Sequence, residues 1–109
     1  MENGFYFDTT GTVYQLKNNL IRQVDQLTWS NVTDESLNNL EATAFLEEAL
    51  LYLLEGRDKM TLQRLTAYIF IDNRNDFQWQ MIQTVMNQLV KNNKVVYDKT
   101  NMLYKIIEQ

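Results

Sequence analysis

The chain has 109 residues, 45% of them hydrophobic and 12% aromatic, enough for one domain with a shared core and too few for two ordinary ones. It contains no cysteine and no histidine, which excludes disulfides, thiolate metal sites, the usual transition-metal ligands and the commonest general base. Its formal charge of −4 argues at first against nucleic acid, because a DNA-binding surface has to displace phosphate counterions.

The distribution of charge changes that reading. Residues 1–55 carry Lys17 and Arg22 against nine carboxylates, whereas residues 56–109 carry eight Lys or Arg against five. The second half is therefore the basic half. No apolar run approaches the roughly 20 residues that span a bilayer, and the acidic start lacks the basic segment of a secretion signal. The expectation is a cytoplasmic protein with no membrane partner and no cofactor. Frequent Asn, Gln, Lys, Ile and Tyr with no proline fit an AT-rich genome, such as that of a low-GC bacterium or its phage.

In chain order, residues 1–12 carry glycines at 4 and 11 and no sustained period, which predicts a mobile arm or a short edge strand. A first helix is expected over Thr12 to Thr28, with Val13, Leu16, Leu20, Val24 and Leu27 on one stripe and Lys17, Asn18, Arg22, Asp25 and Gln26 away from it. That stripe would either close the core or form the seam of a homodimer. A second helix is expected over Asp34 to Glu55, capped by Thr33 or Asp34 and ended by a left-handed Gly56. Thr61 is read as the cap of a third helix whose inward face is Leu62, Leu65 and Ile69. Asp72 to Asn75 read as a turn.

The fourth helix, within Asp76 to Asn93, separates into two faces at about 100° per residue. Met81, Ile82, Val85, Met86 and Leu89 gather inward with Phe77 at their edge, while Gln80, Gln83, Thr84, Asn87 and Lys91 gather outward. Gln and Asn can each bond an adenine edge in bidentate fashion, and Thr can meet a thymine methyl or a phosphate, so the outer face is suited to reading a major groove. The same amides are also what a solvated face looks like in an asparagine-rich chain. Trp79 lies between the faces as a core or boundary residue, with base stacking and a protein contact as the other readings. Lys94 to Tyr97 and Met102 to Ile106 then read as a hairpin with a polar tip, and Lys94, Lys99 and Lys105 could meet phosphate or simply discourage edge pairing.

From Leu46 to Ile107 this order resembles the winged helix-turn-helix superfamily, including the MarR-like and PadR-like bacterial regulators. LYLLEGRDKMTLQRLTAYIF resembles their helix, turn and scaffold helix, and DFQWQMIQTVMNQLVKNNKVVYD their recognition helix and first wing strand. The resemblance implies that Gln80, Gln83, Thr84 and Asn87 face the groove, that Arg64, Arg74, Lys91, Lys94 and Lys99 contact the backbone, and that the partner is double-stranded DNA. It covers a little over half the chain and rests on element order and apolar spacing. The expected fold is mainly α with a small β-hairpin, a winged helix-turn-helix with an N-terminal helical extension. Residues 1–33 would supply the arm and first helix and residues 34–109 the winged unit of one domain. The expected function is that of a small bacterial or phage transcriptional regulator. The alternative is a winged helix module that binds a protein partner and no DNA, which the low pI and the acidic first half favour. Catalysis is not expected: no serine, threonine or lysine sits in a recognisable nucleophile setting, and Glu47 and Glu48 read as a solvated face.

Overall fold

A computed structural model of the protein describes residues 2–71 and 75–107. The chain begins with three antiparallel strands, β1 (Gly4–Asp8), β2 (Val13–Lys17) and β3 (Leu20–Gln23), followed by a two-residue β4 (Ser30–Asn31) and a short helix α1 (Asp34–Asn38). A fifth strand, β5 (Leu40–Ala44), returns to β1. Helix α2 (Leu46–Arg57), strand β6 (Lys59–Thr61), helices α3 (Leu62–Ile69) and α4 (Asp76–Lys91) and strands β7 (Val95–Asp98) and β8 (Leu103–Ile106) complete it. The first five strands form one sheet in the order β4-β3-β2-β1-β5, and the last three form another in the order β6-β8-β7. Helix accounts for about 40% and strand for about 31% of the described residues, so the fold is mixed α/β and not mainly α.

The first correction falls on residues 12–28. The 3-and-4 spacing of Val13, Leu16, Leu20 and Val24 suggested a helix, yet the segment is a hairpin in which Lys17 pairs Leu20 across the two-residue turn Asn18-Asn19. Both asparagines have positive φ, 53° and 65°, the backbone that a tight hairpin turn with the right twist requires and that asparagine tolerates. Asn3 braces the turn by accepting from the Asn18 amide at 3.0 Å. Of the two roles open to that stripe, core or dimer seam, Val13 and Leu16 take the first: Val13 is buried in the main core, and Leu16 with Tyr6 and Ile21 in a smaller one beneath Val32, Leu37 and Leu40. The segment expected as an arm or edge is β1, an internal strand flanked by β2 and β5.

The second correction falls on residues 34–55. Thr33 does cap a helix, with Ser36 reciprocating, but that helix ends at Asn38 and the chain extends as β5 before α2 begins. The Glu48 carboxylate then accepts from the Phe45 amide at 2.9 Å, marking the start of α2. Gly56 lies inside α2. The left-handed residue after the helix is Asp58, with φ 68°. No described helix is long and apolar enough to cross a membrane.

One face of the large sheet, through Phe5, Phe7, Val13, Val24 and Ala44, shares a core with Leu50, Leu53, Leu54, Leu65, Ile69, Ile82, Met86 and Leu89 of the helices. Arg22, expected on an outer face, is only 2% exposed and bridges the two layers. Its Nε donates to the Gln15 side chain at 2.9 Å, Nη1 to the carbonyls of Val24 and Gln26 at 3.0 Å each, and Nη2 to the carbonyls of Tyr68 and Ile69. Every N–H of the guanidinium fork thus has an acceptor. The last two acceptors are carbonyls of the last turn of α3, which carries the negative end of the helix dipole.

Replacing Arg22 with Met keeps much of the volume but strips those carbonyls and Gln15 of their donor. The free energy of unfolding in urea is expected to fall by about 3 kcal/mol, and Lys, with three donors and no fork, should restore little of it. A loss under about 1 kcal/mol in the Met variant would mean that the sheet and helices hold together without the guanidinium.

Candidate nucleic-acid interface

Helix α4 is phased by its caps. Asn75 accepts from the Gln78 amide at 3.0 Å, and the Gln78 side chain accepts from the Asn75 amide at 3.2 Å, a reciprocal capping box that fixes the first turn. At the other end the Asn93 amide donates to the Val90 carbonyl and the Lys94 amide to the Leu89 carbonyl, with Asn93 at φ 60°. This paired closure around a left-handed residue is a Schellman motif, with asparagine in the place that glycine usually takes. It turns the chain directly from α4 into β7 and leaves Lys94 exposed at the junction.

Between these caps Ile82, Met86 and Leu89 are fully buried, with Gln78, Val85 and Val90 half-buried beside them. The residues expected on the reading face, Gln80, Gln83, Thr84, Asn87 and Lys91, are all exposed on the one helix. One inward expectation is corrected, since Met81 is 36% exposed, and Phe77, expected at the edge of that face, is 69% exposed. Phe77, Gln80, Met81, Thr84 and Val85 together line a shallow groove, so the outer face of α4 carries an apolar edge as well as amides. The phase set by the Asn75 and Gln78 caps was the sequence signal for this, since it opposes Phe77 to Ile82 and Met86. The one carboxylate on α4, Asp76, sits in the first turn, where it complements the helix dipole.

Trp79 is at the boundary, 39% exposed, and lines a cleft of about 400 Å³ with Gln63, Thr66, Asn75 and Asp76, where α3 meets the start of α4. Arg64, next to Gln63, is exposed in the first turn of α3, where its amide donates to the Thr61 cap. Arg74 and the rest of the expected turn at 72–74 lie outside the described residues. Lys99 is set apart from α4, in the turn joining β7 to β8.

That turn is built on a carboxylate. Asp98 Oδ1 accepts from the amides of Thr100 at 2.9 Å and Asn101 at 3.3 Å, and Oδ2 accepts from the Asn101 side chain at 2.8 Å. Hydrogen bonds from the Asn101 side chain and amide hold the Asp98 carboxyl below its ordinary range against the opposing effect of desolvation, with smaller help from the Thr100 amide and the charge of Lys59. The ribbon also has a strand that the sequence did not reveal. β6 pairs β8 with Lys59 opposite Lys105, Met60 opposite Tyr104 and Thr61 opposite Leu103. Its three residues are too few to show a period. Two exposed lysines thereby face each other across strands, with the Asp98 carboxylate near enough to Lys59 to offset part of the repulsion.

Because the folded carboxyl is depressed, the hydrogen bonds of the turn are fully present above the ordinary aspartate value and are lost as pH falls through the lower, folded one. In an NMR titration the amides of Thr100 and Asn101 are expected to shift together with a midpoint below that of an unperturbed aspartate, and to lose the transition in Asp98→Ala. A midpoint at the ordinary value would mean that the carboxylate does not hold the turn. No family model, curated protein or solved structure matches the chain, so the role of these side chains has to be argued from their own chemistry.

Proposed function

We propose that residues 46–107 work as a winged helix unit that binds double-stranded DNA, with α4 in the major groove and the β7–β8 ribbon against the flanking backbone. The larger sheet would then serve as a buttress to that unit. The observation that carries this reading is the outer face of α4: Gln80, Gln83, Thr84, Asn87 and Lys91 are exposed on it, and after the first turn it bears no carboxylate. Amides at i, i+3 and i+7 on a protruding helix suit base edges, which present paired donors and acceptors in that groove. Arg64, Lys91, Lys94 and Lys99 are the cations proposed to meet phosphate. The order helix, strand, helix, helix, strand, strand with the first strand paired to the last supports the same reading. Such a protein would be a small transcriptional regulator of bacterial or phage type.

A protein-binding module is the second reading, favoured by the overall charge of −4 and by Phe77 at 69% exposure. Salt separates the two. With four cations on phosphate, affinity for a duplex measured by fluorescence anisotropy should fall on the order of a hundredfold between about 50 and 200 mM salt, following counterion release. The variant Gln83→Ala/Asn87→Ala/Lys91→Glu should lose binding while keeping its far-ultraviolet circular dichroism. Absence of any DNA retention at the lower salt would defeat the DNA reading and leave the protein partner.

A further inference from the structure

The reading face of α4 is unusual in what it lacks. From Phe77 to Val90 there is no arginine and no lysine, so the commonest specific contact, a cation held by guanine O6 and N7, has no donor within the central turns of the helix. What the face does present is of two kinds. Gln80, Gln83 and Asn87 carry a carbonyl and an amino group side by side, the pattern that matches adenine N6 and N7. Phe77 and Met81 are exposed apolar groups, and they share one groove with Gln80, Thr84 and Val85. The Thr84 hydroxyl donates its proton to the Gln80 carbonyl at 2.9 Å, so towards a ligand that residue offers its methyl and acceptor lone pairs, not a donor. Phe77, 69% exposed in the first turn of α4, and Met81 form an apolar edge on a helix whose far end carries Lys91 and leads through Lys94 into the ribbon, which suits an occupant that is anionic along its length and apolar at points. The C5 methyl of thymine in a duplex meets both conditions, and it is the only apolar group that a base pair displays in the major groove.

Resting on the DNA-binding reading above, we infer that the ligand is an A·T-rich duplex, recognised through thymine methyl groups against Phe77 and Met81 and adenine edges against Gln80 and Gln83. Lys91, Lys94 and Lys99 supply the charge that draws the backbone in, and they do so for any sequence. Selection among sequences falls to the amides and the apolar edge. A G·C pair would offer Phe77 only a hydrogen at cytosine C5 where thymine has its methyl, and would leave the guanine acceptors without a cation.

The test uses the full-length protein and three duplexes of equal length by fluorescence anisotropy at low salt: one A·T-rich, one G·C-rich, and the A·T-rich one with deoxyuridine in place of thymidine. The A·T-rich duplex should bind about tenfold tighter than the G·C-rich one, and removal of the methyls should forfeit at least about threefold of that. In Phe77→Ala/Met81→Ala, which alters two exposed side chains, the thymidine and deoxyuridine duplexes should bind alike with the salt dependence unchanged. Equal affinity for the A·T-rich and G·C-rich duplexes, or for the thymidine and deoxyuridine duplexes, with salt-dependent binding retained, overturns this inference and leaves the DNA-binding reading standing. No binding of any of the three overturns both.

Discussion

On top of the apolar core that they share, the large sheet and the helices are tied together by the guanidinium of Arg22, the one buried arginine among the described residues. Burying a charge among apolar side chains costs several kcal/mol unless its hydrogen-bonding capacity is met. Arg22 meets it with acceptors drawn from three places: the neighbouring strand, the chain just after β3, and the last turn of α3. The third set is what makes the contact architectural. α3 has no basic residue in its own last turn, and its buried end carbonyls are answered by a cation from the sheet. Around it, the Arg57 side chain donates to the Asp25 carbonyl at 2.8 Å and lies over the Tyr68 ring, while Gln23 bonds the Tyr52 hydroxyl. The segment after β3 is thereby tied to both α2 and α3. Because α3 packs on α4 and both share the core with the sheet, the clamp also helps decide which side of α4 is left outside.

The two halves of the chain were unequally legible, and the reason is how local their signals are. Thr61, Asn75 and Asn93 each act within a few residues of themselves, as caps and as a left-handed stop, and the elements they bound are found where the sequence put them. The amides and Lys91 of α4 followed from the 100° period, whereas Met81 was misassigned because a hydrophobic side chain was taken as inward, and Phe77, read at the edge of that face, lies well outside it. In the first half the controlling interactions are between segments far apart in sequence. Val13, Leu16, Leu20 and Val24 satisfy a helical period by coincidence. The Asn18-Asn19 turn and the pairing with β1 are what make them strands. Leu40 to Ala44 is rich in good helix formers, and extends because β1 offers it a hydrogen-bonded edge, a case of tertiary pairing overriding propensity. Nothing local to Arg22 distinguishes it from a surface arginine, since its acceptors on α3 lie 46 and 47 residues away.

The charge distribution bears on how such a surface could work. Residues 1–55, which form the large sheet and most of α2, hold nine of the 14 carboxylates, so the chain as a whole repels a polyanion while α4 and the ribbon beside it do not. At about 0.1 M salt the Debye length is roughly 10 Å, so a phosphate close to Lys91 or Lys94 feels those lysines far more than carboxylates on more distant elements. The distant carboxylates matter most during approach and in loose, sequence-independent encounters, where they lower affinity. On the proposed DNA-binding reading, contacts by Gln80, Gln83 and Phe77 would act only at van der Waals or hydrogen-bond range, after entry into the groove, and would be little affected by that background. A net-negative protein with an amide and aromatic reading face would therefore sacrifice non-specific affinity while retaining discrimination between sequences, and it is the ratio of the two that selects a site among many competitors.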